Sequence, residues 1–154
     1  MPLARFVGRA KYRFMTEISA STANTQPLVT DELIEQRVSD LIGRASRRQL
    51  WLLFLDGDNV QLPLLIPTDD YPSRPTADHA NELAKGIRHI AGAARAAQVI
   101  LVWERYGGAD LTPLDRAWAQ QLHKACSGIG VRVRAQLLSH KRGVRWLAPD
   151  DYLS

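Results

Sequence analysis

The stretch "QLWLLFLDGDN", Gln49 to Asn59, constrains the fold more than any other in the chain. From Leu50 to Leu55 it is almost continuously apolar, as expected of a β-strand covered on both faces of its sheet. Asp56-Gly57-Asp58-Asn59 supplies turn residues, and "VQLPLLI" returns as the second strand of a hairpin. Pro63 within that strand calls for a sheet edge or a bulge.

Helices able to cover such a sheet flank the hairpin. Thr30 is a suitable N-cap for a helix over 30–47, with Asp31 and Glu32 at the positive end of its dipole. Leu33, Ile34, Val38, Leu41 and Ile42 form its apolar stripe, and Arg44, Arg47 and Arg48 suit its C-terminal end. After the proline-punctuated loop "PTDDYPSRPTADH", a helix over 77–96 carries Leu83, Ile87, Ile90 and Ala94 on one side. "QVILVWERY" is the next strand. A helix from Pro113 to about Ser127 follows, with Gly128 and Gly130 as stop signals. "VRVRAQLLSH" alternates Val inward and Arg outward, and "KRGV" turns the chain into a short "VRWLAP". The order α-ββ-α-β-α-ββ predicts an α/β fold: a layered α-β-α domain with a mixed sheet. Residues 29–154 form this globular unit. Residues 1–28, with the tract "SASTANTQP", read as a flexible N-terminal arm, and Met15 is an alternative start that would leave residues 1–14 outside the native protein.

Charge and cysteine usage narrow the setting. The net charge of +4 among 154 residues is local. Arg5, Arg9, Lys11 and Arg13 precede Met15 with no acid among them, and the rest of the chain is balanced. Between Arg116 and Arg145 every charged side chain is basic. Arg132, Arg134, Lys141, Arg142 and Arg145 are therefore candidate contacts for anions or nucleic acid. A single cysteine, Cys126, excludes an internal disulfide framework and fits a reducing compartment. No apolar run approaches the roughly 18 residues of a membrane span, and the N-terminus lacks the apolar stretch of a signal peptide. The expectation is a cytoplasmic protein with no membrane partner.

Two stretches resemble the RadC-type branch of the JAB/JAMM metalloprotease-like superfamily. "LFLDGDN" is similar to that family's strand ending in Leu-Asp with Asn three residues beyond, here Leu55, Asp56 and Asn59. "VILVWERYGGADLTPLDRAWAQQLHKACSGIGVRV" is similar to its strand, metal-binding loop, helix and following strand, so that the resemblance spans roughly Gln49 to Pro149. The resemblance implies His-x-His, seven residues, then Ser-x-x-Asp, with a general-base Glu near an earlier strand. In this chain the two His positions fall on Trp103 and Arg105, the loop is one residue shorter, Ser becomes Thr112, and only Asp115 matches. The region expected to hold the Glu is "RRQL", without a carboxylate. A hydrolytic zinc needs three protein ligands and an open position, and neither indole nor guanidinium can ligate it. The resemblance thus implies a degenerate member with no metal.

Other chemistries find little footing. Thr112-x-x-Asp115, with Pro113 between, is the pattern of a helix capping box. Asp56-Gly57-Asp58 reads as a hairpin turn rather than a cation site. His79, His89, His123 and His140 fall on different elements. Cys126 lies near a helix C-terminus, where the dipole disfavours a thiolate. GxSxG, P-loop and GxGxxG motifs are missing, so no cofactor is implied. Trp51, Trp103, Trp118 and Trp146 read as core or rim aromatics. Trp103, Glu104, Arg105, Thr112 and Asp115 form the candidate pocket, because strand-end loops of α/β sheets are natural binding positions. Glu104 or Arg105 is expected to point outward toward a protein partner. The leading expectation is a non-catalytic binding or regulatory domain. The alternatives are a nucleic-acid-associated protein using the C-terminal basic face, and a metal-dependent hydrolase with displaced ligands.

Overall fold

The computed structural model describes residues 26–153; the first 25 residues, and with them nearly all of the expected arm, lie outside. The elements are α1 (Asp31–Leu41), β1 (Gln49–Leu55), β2 (Gln61–Thr68), α2 (Ala77–Ala94), β3 (Gln98–Glu104), α3 (Pro113–Gly128), β4 (Val133–His140) and β5 (Gly143–Leu147), then one 3-10 turn, Pro149–Asp151. This is the α/β order expected from the sequence. The strands form one mixed sheet in the order β2-β1-β3-β4-β5. β1 is antiparallel to both its neighbours, β3 and β4 are parallel, and β4 and β5 form a hairpin.

It follows that β2, β3 and β4 all run the same way, linked by crossovers through α2 and α3. Both crossovers step in one direction across the sheet, so a shared right hand places both helices on one face. α1 is left to cover the other. The pleat then explains the apolar runs. Leu50, Leu52, Phe54, Val99, Leu101 and Trp103 enter the core under α2 and α3, while Leu53, Leu55, Ile100 and Val102 join Ile34 and Val38 under α1. A fully buried Leu or Ile contributes roughly 2 kcal/mol, and these two layers supply most of them. No helix among the described residues is long and apolar enough to cross a membrane.

Three expectations need correction. The first helix ends at Leu41, not Arg47, because Gly43 turns the chain at φ +66. Arg47 and Arg48 are therefore not helix-terminal cations: Arg47 pairs with Asp69 at 2.7 Å, and Arg48 reaches the loop after β2. The Val-in, Arg-out alternation of β4 is broken by a bulge. Between Val99 and Ile100 the partner jumps from Val133 to Ala135, which leaves Arg134 as the inserted residue. Val131 and Val133 consequently pack under α2 and α3, but Ala135 and Leu137 pack under α1. Finally, the chain closes with a turn absent from the expected order, which buries Tyr152. Pro63 does lie in an edge strand, β2.

Candidate functional site

The C-terminal ends of β2 and β3 lie at one end of the sheet, where the loop 69–76, the loop 105–112 and the start of α3 converge. They enclose a cleft of about 290 Å³, and Trp103, Glu104, Arg105, Thr112 and Asp115 all line it, together with Arg48, Tyr71, Ser73, Tyr106, Leu114 and Trp118. The five residues singled out from the sequence are thus brought together.

Arg105 organises the loop that follows β3. Its Nε donates to both carboxylate oxygens of Asp115 at 3.1 and 3.2 Å, and Nη2 donates to Oδ2 of Asp115 at 2.7 Å. The remaining donors turn to backbone carbonyls: Nη1 to Gly108 at 2.7 Å and Tyr106 at 3.2 Å, Nη2 to Asp110 at 2.9 Å. The loop is wrapped around a guanidinium. Gly107 permits this, with φ +107 and so little room that a Cβ would stand 3.2 Å from Nη1. Asp115 has a second task. Its Oδ2 accepts from the Thr112 N–H at 2.8 Å while its own N–H donates to Thr112 Oγ1 at 3.1 Å, so the capping box is present. Burial works against the Asp115 charge, but these donors and the Arg105 cation outweigh it and hold the carboxyl below its usual range.

Glu104 is satisfied without a cation. At 3 % exposure it accepts from the N–H groups of Ser46 at 2.6 Å and Arg47 at 3.1 Å, and from the Ser46 hydroxyl at 3.2 Å. Its other oxygen accepts from Gln49 Nε2 at 2.7 Å and Trp51 Nε1 at 2.8 Å. Desolvation is again outweighed, here by neutral donors, and the carboxyl is held low. The expectation that Glu104 or Arg105 points outward to a partner is therefore corrected. Both side chains are turned to groups of their own chain, since a charge at a buried strand end must be compensated.

The inner wall of the cleft is aromatic. Tyr71, Trp103 and Trp118 are buried, with centroids 5.4 to 5.8 Å apart. The two contacts of Tyr71 are edge-on, so the rings form a packed cluster rather than an open cage. Their polar ends are fixed. Trp103 Nε1 donates to Gln136 Oε1 at 2.7 Å, Gln136 Nε2 donates to the Ala119 carbonyl, and Trp118 Nε1 donates to the Pro72 carbonyl at 3.0 Å. Arg48 lies 4.0 Å above the Tyr71 ring and donates to the Tyr71 and Pro72 carbonyls. Burial, then the nearby carboxylates against Arg48, pushes the Tyr71 phenol well above its usual range. Tyr106 and Leu114, two of the few large apolar side chains left exposed among the described residues, stand at the mouth. Arg48, Tyr71, Tyr106 and Trp118 were not among the residues expected to form the pocket. The one available signal was an aromatic residue inside the proline-rich loop "DDYPSRP".

The other candidates are dispersed. Arg132 precedes β4 whereas Lys141 and Arg142 follow it, so eight strand residues, roughly 25 Å, divide them. Arg134 pairs with Asp31 at 3.1 Å, and Arg145 lies 3.6 Å from Asp151. The five basic residues thus form no single face. Asp56 closes its turn by accepting from Asp58 and Val60. His79 packs on its own cap, Thr76, and His123 lies beside Tyr152. Among the described residues no three His, Cys, Asp or Glu side chains are grouped to hold a metal. Cys126 is fully buried, and burial pushes its thiol up to about 12. No protein-family model matches the chain, and no match was found among curated proteins.

Proposed function

We propose that this protein is a non-catalytic binding domain with the layout of the RadC-type JAB/JAMM branch, and that its cleft receives one small, largely apolar group, such as an aromatic side chain of a protein partner. The observation that carries this reading is the state of the two carboxylates. Glu104 and Asp115 line the cleft, yet both are saturated by donors of their own chain. Neither is poised to move a proton or hold a cation. A guanidinium stands where the resemblance would put the second imidazole, and it already binds the aspartate.

Size decides the class of ligand. A cleft of about 290 Å³ falls at the bottom of the range for small-molecule sites, roughly 300–1,000 Å³, which suits one ring rather than a nucleotide cofactor. Buried aromatics behind an exposed Tyr and Leu are the composition of an anchor pocket at a protein interface. Titration with indole and p-cresol tests this. Either probe should shift the indole N–H resonances of Trp103 and Trp118, and Leu114→Asp should abolish the shift while leaving the fold intact. Unmoved resonances at millimolar probe would sink the reading. Stoichiometric zinc in the purified protein would favour a hydrolase instead, and a salt-sensitive gel shift would favour nucleic-acid binding.

A further inference from the structure

Almost every polar group that faces the cleft is already engaged. Glu104 and Asp115 are saturated, and the indoles of Trp103 and Trp118 donate to groups of their own chain. Arg105 directs its donors to Asp115 and the loop carbonyls, and Arg48 directs Nη1 and Nη2 to the carbonyls of Tyr71 and Pro72. Of the hydroxyls, that of Tyr106 donates to the Ser46 carbonyl at 2.9 Å, that of Thr112 accepts from the Asp115 N–H, and Ser73 lies exposed at the rim.

The Tyr71 hydroxyl is the exception. Tyr71 is only 7 % exposed, yet its hydroxyl has no hydrogen-bond partner among the described residues. The polar side-chain atoms sealed away without a partner belong to Gln61, Gln98 and His123, and the Tyr71 oxygen is not one of them. It therefore keeps access to the surface, and the surface that Tyr71 lines is the cleft. Packing does not account for this oxygen. A phenylalanine would meet Trp103 and Trp118 edge-on and lie under Arg48 equally well. Burial holds the phenol protonated, so the group is a hydrogen-bond donor aimed at whatever the cleft receives.

A ring that enters past Tyr106 and Leu114 covers this hydroxyl. A plain hydrocarbon ring would take solvent from it and return no partner, whereas a ring with its own oxygen replaces the lost hydrogen bond. The charge of that oxygen is limited as well. An anion needs cationic donors, and the guanidinium groups here have turned theirs to carbonyls and to Asp115, beside two carboxylates that repel it. We propose that Tyr71 sets the specificity of the cleft: its hydroxyl donates to a neutral oxygen on the entering ring, so that a tyrosine side chain of the partner is selected over phenylalanine. This selectivity rests on the cleft being a pocket for one ring, and it adds the chemistry of the ring to its size.

Titration of the full chain with p-cresol, toluene and p-toluate, followed at the indole N–H resonances of Trp103 and Trp118, tests the assignment. The cresol should bind about tenfold more tightly than toluene, and p-toluate should bind more weakly than the cresol. Tyr71→Phe should abolish the preference by weakening p-cresol and not toluene, while Ser73→Ala should keep it. Equal affinities for p-cresol and toluene in the unaltered chain would overturn the role of Tyr71 and leave the pocket standing; this comparison decides the question even where the variant folds poorly. A preference that survives in folded Tyr71→Phe would place the selecting group elsewhere and overturn it too, as would tightest binding by p-toluate. If no probe moves either indole, the pocket itself is absent and the inference falls with it.

Discussion

Glu104 and Asp115 line one cleft and are held by different means. Glu104 ends a strand on the α1 side and is bound by neutral donors from the segment leading into β1. Asp115 starts a helix and is bound by a cation that also gathers the loop carbonyls. The first arrangement locks two segments of rigid backbone together. The second stores the order of a whole loop in one side chain. A buried carboxylate can therefore be structural in two ways, and the consequences of losing its partner should differ.

Removing the cation should have the largest effect. Arg105→Met leaves Asp115 without its partner and frees the loop carbonyls, an expected loss of roughly 3 kcal/mol in urea unfolding. Adding Asp115→Asn should recover part of this loss, because the uncompensated charge is then gone. A double variant no better than the single would show that the loop carbonyls, not the ion pair, dominate. Glu104→Gln is expected to cost roughly 2 kcal/mol, since the amide cannot accept from every donor that the carboxylate does, and the loop 105–112 should stay ordered.

Acid separates the two sites from the rest of the molecule. Both carboxyls are held below their ordinary values in the folded state. Their contribution is therefore present above the unfolded carboxyl range, about 4, and lost as the pH falls through the lower folded values. Unfolding free energies at pH 5.5 and at decreasing pH below 4 should show this loss in the unaltered protein and a shallower one in Glu104→Gln. Equal slopes would mean that Glu104 is not ionised in the fold. The smallest effect is expected for Thr112→Ala, about 1 kcal/mol, because Arg105 still holds Asp115 when the cap is gone. A loss as large as that of Arg105→Met would make the cap, not the guanidinium, the keystone.

The sheet was legible in the sequence because its central strands are buried on both faces and its turns use residues with few alternatives. The capping box at Thr112 and Asp115 was legible too, since it depends only on neighbours three residues apart. The end of α1 was harder. Arg44 to Arg48 keep reasonable helical composition, but Gly43 turns the chain before them, and the N–H groups of Ser46 and Arg47 go to Glu104. The β4 bulge was hidden for a similar reason: the local Val-Arg alternation is a good strand pattern, and its break serves packing on two opposite faces.

By itself, the sequence determined the order of elements, the double burial of the central strands and the meeting of strand end and helix start at one loop. These follow from hydrophobic period and local hydrogen bonding, which act over a few residues. Only the tertiary structure decided what that loop does with its charges. Glu104 and Arg105 are adjacent in the chain but face different surroundings, one the neutral donors of Ser46, Arg47, Gln49 and Trp51, the other Asp115 and a ring of carbonyls. Whether a charge is free or consumed depends on partners that folding brings from far along the chain, 58 residues for Glu104 and Ser46, and no local pattern encodes that distance.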